Sequence, residues 1–187
     1  TDAIKLSLKC LDIKKGDEVI TAANTFVATV GAICEIGAIP KFVDVDDSFC
    51  MDIDLIEKKI TKKTKAIVAV HFTGYMTNMN KLKKISKKYK IPVVEDACQS
   101  ILASINGKNA GTWSDFGAFS LHPLKNINVW SDGGIIVTSN KKYFEKLKLL
   151  RNHGLKNRDE VVLTGYNSRL DTIQAAVANY KMKNKLD

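Results

Sequence analysis

A chain of 187 residues that is 45% hydrophobic and 26% charged has the composition and length of a folded globular domain with one sizeable core, which excludes intrinsic disorder. Lysine and arginine outnumber aspartate and glutamate 29 to 20, giving a net charge of +9, yet arginine stands only at positions 151, 158 and 169. Clustered arginine with interleaved aromatics would signal nucleic-acid binding, and about 18 consecutive apolar residues would signal a membrane span; the sequence shows neither, and no basic-then-apolar secretory signal opens it.

Apolar runs of strand length alternate with amphipathic stretches nearly throughout, the pattern of an α/β domain. A helix opens at Asp2 and runs to about Leu11, and the turn Lys15-Gly16-Asp17 feeds a strand over Glu18 to Thr21. Thr25 is the expected N-cap of a helix carrying Val27, Val30, Ile33, Cys34 and Ile36, ended by Gly37. A strand over Lys41 to Val45 and a helix from Asp54 to Ile60 follow. Next comes a strand over Ala66 to Val70, an unbroken apolar run suited to burial on both faces. Lys81, Lys83, Lys84, Lys87 and Lys88 around Leu82, Ile85 and Tyr89 mark a helix with a solvated basic face.

Pro92 to Glu95 is a further strand, apolar until its carboxyl end. Beyond the glycine-punctuated stretch from Gly107 to Gly111, strands are expected over Phe116 to Ser120 and Ile135 to Thr138, joined by an irregular connection from Leu121 to Gly134. A helix over Lys142 to Arg151 and another from Leu170 onward, with no stop signal before Asp187, complete the pattern. Cys10, Cys34, Cys50 and Cys98 form no CxxC pair and have no metal-ligand spacing with His71, His122 or His153, so reduced thiols, no metal and a cytoplasmic location are expected.

Ligands of open α/β sheets bind outside the carboxyl ends of the strands, which directs attention to the polar residues there. His71, Asp96 and Ser120 each end an apolar strand, and Lys125 follows Ser120 in a loop too apolar to be a lysine-rich surface. An amine, a carboxylate and a hydroxyl at one edge match the needs of pyridoxal phosphate: a Schiff-base lysine, a carboxylate for the pyridine nitrogen, and donors around a phosphate. Each has a plainer reading as well. A loop lysine is usually solvated, an aspartate at a strand end often caps a helix, and a serine can satisfy a turn.

The wording of eight segments, in order, resembles the DegT/DnrJ/EryC1/StrS family of pyridoxal-phosphate sugar aminotransferases. They are Thr1-Asp2-Ala3, Gly16-Asp17-Glu18-Val19-Ile20, Asn24-Thr25-Phe26-Val27-Ala28-Thr29, Thr64-Lys65-Ala66-Ile67, Val70-His71-Phe72-Thr73-Gly74, Glu95-Asp96-Ala97-Cys98-Gln99-Ser100, Phe119-Ser120-Leu121-His122-Pro123-Leu124-Lys125-Asn126 and Gly165-Tyr166-Asn167-Ser168-Arg169-Leu170-Asp171. The resemblance implies a fold-type-I large domain, a mostly parallel seven-stranded sheet sandwiched by helices. Residues 1–187 would form that cofactor-binding domain, with a preceding segment and a small C-terminal domain in the longer family members.

The same resemblance assigns roles. Lys125 corresponds to the Schiff-base lysine, Asp96 to the partner of the pyridine nitrogen, and Gln99 to the side chain near the ring hydroxyl. Phe26 takes the place of the aromatic stacked on the ring, with a core aromatic as its plainer reading. Thr1 and Asp2 match the helix N-terminus that holds the phosphate, joined by the Ser120 hydroxyl. Asn167 corresponds to a residue reaching the cofactor of a neighbouring subunit, which implies a homodimer; Asn167-Ser168 could equally cap the helix that follows. His71 and His122 brace the site.

The implied activity moves an amino group from glutamate or glutamine to a keto sugar, in first place a nucleotide-linked one with a free sugar or keto-cyclitol left open, in amino-sugar, polysaccharide or secondary-metabolite biosynthesis. The family's sugar dehydratases carry histidine at the position of Lys125, which disfavours that alternative. A desulfurase-like chemistry would need a reactive cysteine segment not seen here. A truncated, non-catalytic homologue acting as a regulatory or binding module is the remaining alternative, against which the intact Lys125, Asp96 and Ser120 count.

Overall fold

The structure is a computed structural model and describes residues 1–184; the end of the expected last helix at Asp187 lies outside the described residues. In chain order the elements begin with α1 (Asp2–Cys10), β1 (Glu18–Ala22), α2 (Val27–Glu35) and β2 (Ile39–Val43). A 3-10 turn (Ile53–Leu55) leads into the short α3 (Ile56–Lys59), then β3 (Thr64–Val70), α4 (Met79–Tyr89) and β4 (Val93–Asp96). A small hairpin of β5 (Ser104–Ile105) and β6 (Lys108–Asn109) precedes β7 (Phe116–Ser120), β8 (Gly134–Val137), α5 (Lys141–Leu150) and α6 (Thr172–Asn184).

One sheet has the order β2-β1-β3-β4-β7-β8, parallel except for β8, which runs antiparallel to β7. Six strands therefore form the sheet among the described residues, matching the six read from periodicity and one fewer than the resemblance implied. Side chains alternate between two cores. Val19, Ala66, Val68 and Val94 face one core with α1, α2 and α5, while Ile20, Ile67, Ala69 and Val93 face the other with α3 and α4. Burial on both faces is why β3 reads as a continuous apolar run.

Several boundaries shift. Thr25 does not cap α2: Phe26 occupies the N-cap position, and the Thr25 hydroxyl lies against Thr29 instead. β2 starts two residues earlier than expected and includes Pro40, tolerated because β2 is an edge strand. The stretch expected as one helix from Asp54 is split into the 3-10 turn and α3, with the Asp52 carboxylate accepting from the Asp54 N–H. The hairpin β5–β6 is absent from the sequence expectations, although Asn106-Gly107 supplies two consecutive positive φ angles, 51° and 75°, for its two-residue turn.

One close approach shapes the sheet beside the site. Gly117 in β7 lies so near Gly111 that a Cβ there would come 2.3 Å from the Gly111 backbone. This contact lets the turn at 111–114 fold down onto β4. Gly117→Ala is expected to destabilise the protein by about 3 kcal/mol or more, because backbone rather than a movable side chain must give way; urea denaturation checks it.

Candidate functional site

Because β1, β3, β4 and β7 are neighbouring parallel strands, their carboxyl ends share one edge, and the antiparallel β8 brings Gly134 to the same edge opposite Ser120. Phe26 and Thr29 follow β1, His71 follows β3, Asp96 ends β4, and Ser120 and Lys125 close and follow β7. The start of α1 joins them: a Cβ on Gly134 would lie 3.8 Å from Ala3.

Glu95 anchors this edge although its side chain points away from it. The carboxylate is fully buried and accepts from the backbone N–H groups of Gly111 (2.7 Å), Trp113 (2.7 Å) and Ser114 (2.9 Å), the Ser114 hydroxyl (2.9 Å) and His71 Nε2 (2.9 Å). His71 Nδ1 accepts from the Thr77 N–H, so the ring proton sits on Nε2 and is donated to Glu95. Burial pushes the Glu95 carboxyl up, but His71, Gly111 and Ser114 outweigh it and hold the group below its usual value near 4.5. His71 thus ties the end of β3 to the Glu95 carboxylate and to Thr77.

Asp96, next in sequence, turns to the opposite face and is 6% exposed. Its Oδ2 accepts from the Thr29 hydroxyl at 2.6 Å and its Oδ1 from the Cys98 N–H at 3.2 Å. A carboxylate has about four acceptor positions, so two are engaged and the remainder can meet a further donor such as a protonated ring nitrogen. Lys125 is half-buried; its N–H donates to the His122 carbonyl and its own carbonyl accepts from Asn128 Nδ2. Burial pushes the Cys98 thiol up and Asp96 adds to the effect, while the Lys125 charge opposes it. Lys125 and Asp96 therefore act on the same thiol.

Gln99 Oε1 accepts from the Thr73 N–H at 3.1 Å, which ties the loop after β3 to the end of β4. The Ser120 hydroxyl accepts from the His122 N–H. Phe26 is 65% exposed, which rules out the core-aromatic reading.

Thr1, Asp2, Ser120 and Asn167 border one cavity of about 990 Å³, together with Cys98, whose N–H bonds Asp96. Phe26, Asp96, Gln99 and Lys125 are not among the residues lining that cavity; they stand at or after the carboxyl ends of β1, β4 and β7. The Asp2 side chain is turned aside: its carboxylate meets Lys5 Nζ at 2.9 Å and accepts from the Ser168 hydroxyl at 2.6 Å. Although burial raises it, Ser168 and Lys5 hold Asp2 below its ordinary value. That leaves the backbone N–H groups at the start of α1, the anion-binding feature of a helix N-terminus, to act without an unpaired carboxylate beside them.

Asn167 is exposed, forms a backbone bridge with Asn152, and accepts from Arg169 Nε through Oδ1. Since α6 starts only at Thr172, Asn167 and Ser168 do not cap it. Thr29 and Glu95 escaped the sequence reading of roles: both lie inside the matched segments, but only their buried hydrogen bonds mark them as working parts. Ser168, read there as a helix cap, instead bonds Asp2.

A family model for the DegT/DnrJ/EryC1/StrS aminotransferase family matches residues 1–187. The UDP-N-acetyl-3-dehydro-alpha-D-glucosamine 3-aminotransferase of Acidithiobacillus ferrooxidans is 45% identical over 178 residues, 95% of this chain and 48% of that protein. Among solved structures, S. venezuelae DesV in complex with a ketimine intermediate superposes with a TM-score of 0.94 at 36% identity, covering 97% of this chain and 49% of that one. NtdA from Bacillus subtilis with bound cofactor PMP gives 0.92 at 37% identity, covering 97% and 42%. The chain thus spans about half the length of the relatives it matches.

Glu95 supplies a pH-dependent contribution to stability. Its carboxyl is held below 4.5 in the folded chain, so that contribution is present above about pH 4.5 and is lost as pH falls through the lower folded value. Glu95→Gln, which places an amide NH2 among N–H donors, is expected to cost about 3 kcal/mol at pH 7. The variant should also lose less stability than the parent between pH 7 and pH 4 in urea denaturation.

Proposed function

We propose that this chain, which belongs to the DegT/DnrJ/EryC1/StrS aminotransferase family, is the cofactor-binding large domain of a pyridoxal-phosphate enzyme that moves an amino group from glutamate or glutamine to a nucleotide-linked keto sugar. The observation that carries this reading is the buried Asp96 carboxylate, with spare acceptor capacity at the centre of the strand-end edge. The residues fit the cofactor on four counts: a carboxylate for a ring nitrogen, an exposed aromatic at Phe26, a helix N-terminus with the Ser120 hydroxyl for a phosphate, and a half-buried lysine. The UDP-sugar named for the Acidithiobacillus relative and the bound PMP of NtdA support the substrate class and the cofactor.

Bound pyridoxal phosphate supplies an electron sink for the charge left when a Cα proton departs. In this reading the Lys125 amine would hold the cofactor and, when free, would be the base that accepts a proton and the acid that returns it. Asp96 would accept from the ring nitrogen, Gln99 would approach the ring hydroxyl, and Phe26 would cover the ring face. The amides of Thr1 and Asp2, with Ser120, hold the phosphate.

The reading includes a homodimer in which Asn167 reaches the neighbouring site. Leu124 is 88% and Trp130 72% exposed near the same edge, surface that a second copy would cover. A cytoplasmic location, supported by four unpaired cysteines, and a role in amino-sugar and polysaccharide biosynthesis belong to the proposal.

Incubated with pyridoxal phosphate, the protein is expected to develop a visible absorption band that survives dialysis, and Lys125→Ala to lack it while keeping the parent's circular dichroism. A folded parent without the band would overturn the cofactor reading.

A further inference from the structure

A threonine inside a helix commonly turns its hydroxyl back to the carbonyl four residues earlier. For Thr29 that carbonyl belongs to Thr25, yet the hydroxyl donates instead to Asp96 Oδ2 at 2.6 Å. Thr29 is fully buried, and the bond crosses from α2 to the end of β4. A hydroxyl has a single proton and a charged carboxylate only accepts, so Thr29 must be the donor. The contact of 2.8 Å between the Thr25 and Thr29 hydroxyls is then also directed: Thr25 donates and Thr29 accepts. The two hydroxyls form a one-way chain ending on Asp96, and donors linked in this way polarise one another.

The Cys98 N–H holds the other oxygen, Oδ1, so each carboxylate oxygen is fixed by one donor. The two donors come from different elements, α2 and the turn after β4, which sets the carboxylate plane and leaves its remaining lone pairs free. Phe26 lies between Thr25 and Thr29 in sequence, at the N-cap of α2 and exposed. One helical turn therefore presents the candidate ring cover and orients the candidate ring-nitrogen partner.

We infer that Thr29, backed by Thr25, is a positioning residue that orients the Asp96 carboxylate toward the cofactor's ring nitrogen. The inference rests on the assignment of Asp96 under the proposed function. Without the Thr29 hydroxyl, Oδ2 loses a buried donor and the carboxylate is free to turn, so the ring nitrogen shares its proton less effectively and the cofactor is held less tightly. A purely structural link between α2 and β4 would change folding stability and leave the nitrogen's protonation alone.

The experiment uses the complete natural chain loaded with pyridoxal phosphate labelled with 15N in the ring, and reads the ring-nitrogen chemical shift together with the cofactor dissociation constant. Thr29→Val is expected to move the shift toward the unprotonated value and weaken cofactor binding about tenfold, the scale of one hydrogen bond to a charged group. Thr29→Ser should restore both. Asp96→Asn is the control for the underlying assignment: a nitrogen signal unmoved in that variant overturns the role of Asp96 and the inference with it. A signal moved by Asp96→Asn but not by Thr29→Val, or a loss of binding that Thr29→Ser does not rescue, overturns the role of Thr29 alone. Should Thr29→Val fail to fold, Thr25→Val removes the outer link and should move the signal the same way by less; no movement there contradicts the chain of hydroxyls.

Discussion

The buried carboxylate of Glu95 is the constraint on which the strand-end edge depends. A charge fully removed from water is tolerated only where protein donors replace the water, and Glu95 collects five, from His71 on one side and the turn at 111–114 on the other. Each donor comes from a segment that the bond thereby fixes. The close approach of Gly117 to Gly111 gives that turn room to reach, and the His71 tautomer set by Thr77 provides the proton. Glu95 and Asp96 are consecutive in β4 and point to opposite faces, as strand geometry requires. Fixing the first therefore places the second.

The other charges near the site are arranged on the same principle. Lys5 is nearly buried, pairs with Asp2 and Glu35 at 2.9 Å each, and lies 4.7 Å from the centre of the Tyr166 ring. Through Asp2 it also reaches Ser168, so α1, α2 and the segment carrying Asn167 are joined around one ammonium group. The effect is to pair the carboxylate at the start of α1 with an ammonium group and a hydroxyl. The basic face of α4 lies on the other side of the sheet, packed through Leu82 and Ile85 onto the second core.

Much of this was legible in the sequence, for identifiable reasons. β1, β3 and β4 stand out because burial on both faces produces apolar runs, Asp96 and Ser120 because each breaks an apolar strand at its carboxyl end, and Lys125 because it follows in an apolar loop. Boundaries decided by single hydrogen bonds were less legible. Thr25 has the composition of an N-cap, but its hydroxyl is taken by Thr29, and the start of α2 moves by one residue. Asn167-Ser168 also looks like a cap; the Ser168 hydroxyl instead bonds Asp2, 166 positions earlier in the chain, a partner no local pattern can reveal. The partners of Glu95 lie 16 to 24 residues away on other elements, so its importance emerges only from the fold. The sheet of the described residues has six strands, the number read directly from periodicity and one fewer than the resemblance implied.

Of the many lysines in the chain, Lys125 is the one proposed to hold a cofactor whose ring nitrogen would meet Asp96. The most direct measurement is peptide mapping by mass spectrometry after incubation with pyridoxal phosphate and reduction with borohydride. The account predicts that the cofactor is carried on the peptide containing Lys125 at stoichiometric occupancy, with surface lysines labelled only in traces. Labelling spread over the lysines of α4, with Lys125 unmodified in folded protein, would contradict it.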